Sequence, residues 1–150
     1  MRNIALWLHI MGAGTWIGAN LTQAAVSRRL TSGDTNTAHR WLEAVNKMSG
    51  PLYGTVAVVI LATGLFLVLQ PDSPYSFGST FVLIGIVVLI IGGALAGAFF
   101  TPQTKKAMSL FAGGNAAEGR LVINRIAWGG TIDTLLIAFA VLAMVSKWGA

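Results

Sequence analysis

Between Arg2 and Arg28 the chain runs 25 residues without a formally charged side chain. Three similar windows follow: 24 residues between Lys47 and Asp72, 32 between Asp72 and Lys105, and 21 between Arg125 and Lys147, the last interrupted only by Asp133. A helix rising 1.5 Å per residue crosses bilayer hydrocarbon in about 20 largely apolar residues, so each window is long enough. In lipid only helices and closed barrels satisfy every backbone N–H and C=O. Runs such as Phe81-Val82-Leu83-Ile84 and Val87-Val88-Leu89-Ile90-Ile91 lack the alternation of a barrel strand. The windows therefore predict four transmembrane helices over 4–26, 52–70, 78–100 and 125–147. The fold class that follows is all-α, an integral membrane four-helix bundle built as a single domain over 1–150.

Composition agrees. Charged residues are 10% of the chain and hydrophobic ones 55%, whereas a soluble domain carries about 25% charged residues. A soluble enzyme, a disordered tail and a nucleic-acid module are excluded. The absence of cysteine removes disulfides, thiolate metal sites, iron–sulfur clusters and cysteine nucleophiles.

The basic residues set the expected orientation. Arg28, Arg29, Arg40 and Lys47 lie in the 26–51 connection, and Lys105, Lys106, Arg120 and Arg125 in the 101–125 connection, which together hold eight of the ten. The positive-inside rule puts both long connections in the cytoplasm and both termini outside a plasma (inner) membrane. Polar His9, Asn20 and Gln23 inside the first window, with Arg28-Arg29 directly after it, favour a retained span over a cleaved leader.

Residues 36–48 read as a short amphipathic helix at the interface between spans one and two. Trp41, Leu42, Val45 and Met48 share one stripe, and His39, Glu43 and Lys47 share another at i, i+4 spacing. His39 is expected to be solvated and paired with Glu43. Pro51 suits the first turn of span two, and Pro102 marks the end of span three. Three glycine pairs four residues apart (Gly14/Gly18, Gly50/Gly54, Gly93/Gly97) suggest close helix packing and association with a second copy.

Polar side chains within a span are functional candidates by default. His9, Trp16, Asn20 and Gln23 are spaced 7, 4 and 3 apart, so they share one face of the first helix. His9 and Trp16, with Met144, are the cofactor-binding candidates, and Asn20 and Gln23, with Asp133, a proton or polar network. His9 lies about 9 Å below the outer boundary. Neutral imidazole ligates haem iron, zinc and copper, so His9 reads either as an axial haem ligand or one ligand of a copper site, or as a buried histidine bonded to a neighbouring helix. A closed metal site needs three or four ligands, which ranks haem b above copper. A second ligand would come from Met11, Met144, a twofold mate's His9 or an exogenous molecule, and Met144 matches His9 in depth. Asp133 falls near the level of Trp16 and Asn20. It reads as a proton-relay or cation site, or as a carboxyl that pins the fourth helix to the first.

The segment Leu8-His9-Ile10-Met11-Gly12-Ala13-Gly14-Thr15-Trp16-Ile17-Gly18, followed by Arg28-Arg29-Leu30, resembles the His-x6-Trp-x-Gly opening of a broad superfamily. That superfamily holds CopD-like copper-resistance membrane proteins, small uncharacterised four-helix membrane proteins and HemJ-type protoporphyrinogen oxidases. Thr101-Pro102 with Lys105-Lys106, and Met144-Val145-Ser146-Lys147, resemble the uncharacterised branch best. The resemblance implies that His9 is the haem ligand. It does not carry over the oxidase activity, because 78–100 contains neither the lysine nor the histidine of that pattern. No soluble-enzyme constellation is present, and the reading leans away from an enzyme. Three functions stay open: a haem b protein in a redox-associated or haem-related role; a non-catalytic accessory or structural subunit of a larger membrane complex; and a small copper or proton transporter using His9 and Asp133. The expected partners are the lipid bilayer and either further copies of the chain or a membrane complex, with no nucleic acid.

Overall fold

The computed structural model describes residues 1–149, all of whose regular structure is helical. Helix α1 (Arg2–Leu30) ends with Arg28 and Arg29 in its last turn, where cations favour the helix dipole. The Thr31 hydroxyl closes that turn by donating to the Ser27 carbonyl at 2.7 Å. After the turn, Asp34 caps α2 (Thr35–Leu69) by accepting the Thr37 N–H at 2.8 Å and the Thr37 hydroxyl at 3.0 Å. Those bonds, the backbone one foremost, hold the Asp34 carboxyl below the ordinary carboxylate range.

Helix α2 departs from expectation. The amphipathic segment at 36–48 is not a separate interfacial helix; it is the first part of a single 35-residue helix that runs through Pro51. Proline fixes φ near the helical value, so its cost is one backbone bond and a crowded carbonyl one turn earlier. Pro51 is exposed, as is Lys47, whose carbonyl loses the bond, at the point between the charged and uncharged parts of α2. Packing holds both flanks: Ala38 and Leu42 are buried against one cluster, Val56 against another.

Span three likewise does not stop before Pro102. Helix α3 (Thr80–Leu95) passes through a π-turn (Ala96–Phe100) directly into α4 (Thr101–Ala112). The Ala96 carbonyl receives the Thr101 N–H, a five-residue step, and also the Thr101 hydroxyl at 2.9 Å. One extra residue per turn at this point moves the carbonyls that the Pro102 ring would otherwise meet. Helix α5 (Ala116–Val145) is the last helix among the described residues.

Four helical stretches are long and apolar enough to cross a membrane: Arg2–Leu30, Thr35–Leu69, Thr80–Ala112 and Ala116–Val145. Helix α1 packs on α2 and α5, and α5 packs on α3, while α2 and α3 scarcely touch. The helices therefore pack in the order α2–α1–α5–α3, with a gap between the first and last. One core gathers Trp16, Val56, Val88, Ile137 and Ala140 within the uncharged windows. A second, at the basic end, joins the start of α2, α4 and the start of α5 through Ala38, Leu42, Ala107, Phe111, Val122 and Ile123.

The close helix contacts are made at glycines other than the expected pairs. A Cβ at Gly12 would lie 2.8 Å from Ile60 Cγ1, and one at Gly92 would lie 3.0 Å from the Trp16 ring. Around Gly14, Gly18, Gly50, Gly54, Gly93 and Gly97 there is nothing within 4 Å of that position. Four-residue spacing puts two glycines on one face, but the larger and more polar residues decide which face turns inward.

Candidate functional site

A cavity of about 640 Å³ fills the gap between α2 and α3, at the end of the bundle opposite the basic connections. His9 of α1 is half-buried on its wall. Its Nδ1 lies 3.0 Å from the Ile60 carbonyl and 3.1 Å from the Thr63 hydroxyl, both on α2. A carbonyl only accepts, so Nδ1 must carry the proton and donate. The Thr63 hydroxyl donates to the Val59 carbonyl at 2.6 Å, which leaves an oxygen lone pair facing the imidazole. In the neutral ring the remaining lone pair is then on Nε2, which makes no hydrogen bond among the described residues. Gly64 gives the ring its place, because a Cβ there would stand 3.1 Å from His9 Cε1.

Met144 of α5 lines the same cavity, and its terminal methyl sits against Gly85 of α3. Met11, the other methionine of matching depth, is exposed and absent from the lining. The cavity wall is overwhelmingly apolar. Ile17, Leu89 and Val141 lie at its inner end, and Arg2, Tyr75 and Lys147 lie at its outer end.

Two to three turns of α1 further in than His9, the other polar residues form a separate layer. Asp133, 3% exposed, accepts at Oδ2 from the Trp16 indole N–H at 2.9 Å and from the Asn20 carboxamide at 2.8 Å. The same Asn20 group lies 3.1 Å from the Thr134 hydroxyl, and Asn20 Oδ1 receives the Tyr53 hydroxyl at 2.7 Å. The Tyr53 and Trp16 rings meet edge to face with centroids 5.5 Å apart. This network joins α1, α2 and α5. Gln23, expected on the same stripe, makes no side-chain hydrogen bond among the described residues. His9 and Asp133 do not meet: Trp16, the indole on Asp133, is seven residues along α1 from His9, about 10 Å. No group of three or more His, Cys, Asp and Glu side chains is placed to hold a metal ion among the described residues.

His39 is not solvated beside Glu43. It is half-buried, and its Nδ1 donates to the Met108 carbonyl of α4 at 3.2 Å, while Glu43 pairs with Lys47 at 2.8 Å. The end of α2 that carries His39 is folded against α4, which turns one side of the imidazole away from water. The partners of His9 on α2, Ile60 and Thr63, were not among the sequence candidates. The one available signal was Thr63-Gly64, a hydroxyl beside a glycine inside an otherwise apolar run. Tyr53 was missed for a similar reason, as an aromatic residue that blends into an apolar helix.

The fold and site define a helical bundle with four candidate membrane spans, an apolar cavity and a histidine on its wall. No family model, curated protein or solved structure matches this chain.

Proposed function

We propose that the chain is a multi-pass protein of the plasma (inner) membrane that binds haem b in the cavity, where His9 Nε2 would hold the iron. One observation carries this reading. The Ile60 carbonyl fixes the proton of His9 on Nδ1, so the ligating lone pair belongs to the nitrogen that has no protein partner, on the wall of an apolar cavity. Histidines that hold metals are commonly set this way, with the second ring nitrogen donating to a carbonyl or carboxylate. The volume of about 640 Å³ falls within the range of small-molecule sites. A copper centre would need at least one more ligand than His9 and Met144 provide.

Within this reading His9 holds the iron, and Gly64 and Thr63 fix the ring. Met144 offers a thioether on the same cavity, and histidine–methionine ligation raises a haem reduction potential. The apolar walls exclude water. Haem supplies one-electron chemistry when bound. The resemblance of Leu8–Gly18 to an opening whose helix-one histidine ligates haem supports the same residue. The eight basic residues on the two long connections support a cytoplasmic placement for that end.

The test is the absorption spectrum of protein purified in detergent from haem-replete cells. A Soret band is expected in the wild type and is lost in His9→Ala. A colourless wild-type protein with a cooperative melting transition overturns the reading.

A further inference from the structure

Only two of the ten basic residues, Arg2 and Lys147, lie outside the two long basic connections, and both line the cavity. They come from opposite ends of the chain, so sequence proximity does not explain their meeting at one rim. Apart from the His9 imidazole, the cavity is accordingly polar at one end only: apolar side chains surround its depth and two cations stand at its mouth. Neither cation is ion-paired among the described residues, where the salt bridge found is Lys47–Glu43.

The backbone at Lys147 adds an independent sign. Helix α5 closes with the Trp148 N–H on the Ala143 carbonyl at 3.2 Å and the Lys147 N–H on the Met144 carbonyl at 3.3 Å. This is the Schellman arrangement, whose left-handed position is normally glycine or asparagine. Lys147 occupies it with φ of 51°, a conformation that disfavours a side chain of this kind. Strain of this sort persists where the surroundings or the function hold it. Here it places the ammonium 6.0 Å from the centre of the Tyr75 ring, over another rim residue.

Resting on the haem reading of this same cavity, we infer that Arg2 and Lys147 hold the two carboxylates of the bound haem. The site thereby selects an apolar ligand with an acidic end over its neutral counterpart. Haem b is such a molecule, a flat apolar body with both propionates on one edge. With its body among the apolar residues and its iron held by His9, such a ligand would bring its acidic edge to Arg2 and Lys147. A lone ion pair at an exposed surface is worth little. At the edge of an apolar cavity, with less water to screen it, the pair counts for more.

The experiment titrates haem b and its dimethyl ester into detergent-solubilised, haem-free protein and follows the Soret band. The variants are Arg2→Gln, Lys147→Gln and the double change, with Lys147→Arg as the conservative control. Haem should bind the wild type more tightly than the ester, and each glutamine should weaken haem binding about three- to tenfold. The double variant should bind acid and ester alike. Lys147→Arg should keep the preference. Lys147→Gly separates binding from folding: relieved of its left-handed side chain, the haem-free protein should melt no lower than the wild type and still bind haem more weakly. Equal binding of acid and ester by the wild type, or a preference that survives in the double variant, overturns the inference. Loss of the band in His9→Ala would then leave the haem reading intact, with the cations serving lipid phosphates. Absence of any haem uptake by the wild type overturns both.

Discussion

At Asp133 a single carboxylate oxygen accepts from the Trp16 indole and the Asn20 amide, and Asn20 in turn accepts from Tyr53. In lipid an unpartnered donor has no water to turn to. Asp133→Ala strands two donors at once, at about 1–3 kcal/mol for each unsatisfied group. Hydrogen bonds between membrane helices average less, about 0.6 kcal/mol, so the two bounds together put the expected total loss between about 1 and 6 kcal/mol. Asp133→Asn keeps one accepting oxygen and should lose less. Denaturant titration in detergent checks both, and an alanine variant as stable as the wild type would show that the network does not tie the helices. Four of the residues at issue here, His9, Trp16, Asn20 and Asp133, were legible in the sequence because a polar group within an uncharged window has to be accommodated. Their partners were not. The Ile60 carbonyl belongs to a backbone that every residue shares, and nothing in one-dimensional spacing sets Thr63 of α2 opposite His9 of α1.

The number of membrane-length helices was legible and helix ends were not, with the largest discrepancies falling at the two prolines. Sequence rules treat Pro51 and Pro102 as boundaries because each lacks an N–H and crowds the preceding turn. In the folded chain a continuous helix passes both, through the exposed position of Pro51 and through the π-turn ahead of Pro102. What decides the outcome is packing on either side, which a local rule does not contain. For α2 the consequence is measurable. Pro51→Ala returns a backbone bond to the Lys47 carbonyl without touching either core, and the full penalty of a mid-helix proline is about 3 kcal/mol. The variant should be more stable than the wild type by some part of that amount, read as a higher Tm in detergent. A lower Tm would show that the junction of the two halves of α2 requires the proline. The apolar stripe read at 36–48 turns toward α4 and α5: Ala38 and Leu42 pack with Ala107, Phe111 and Val122.

Across the whole molecule, two cores at different depths divide the work. The one around Trp16 holds the uncharged windows together, and the one around Phe111 fastens the basic connections into a helical cap. The four windows could be counted from charge spacing alone. The order α2–α1–α5–α3 could not, because helices apolar on nearly every side carry no stripe to say which neighbour they face. That order matters, since the gap between α2 and α3 is the cavity. It also makes orientation a question about function: with the basic cap in the cytoplasm, the mouth formed by Arg2 and Lys147 opens on the outer side. The absence of native cysteine makes this directly testable. Exposed Ser32 and Ala117 lie on the two basic connections and exposed Ser76 lies between α2 and α3. Single cysteines at these positions should divide cleanly in intact cells. Ser76→Cys should react with a membrane-impermeant maleimide, whereas Ser32→Cys and Ala117→Cys should react only after permeabilisation. The opposite pattern would reverse the protein in the membrane and turn the cavity mouth toward the cytoplasm. Labelling of all three without permeabilisation would remove the bilayer from between the two ends and with it the membrane-spanning reading of the four helices.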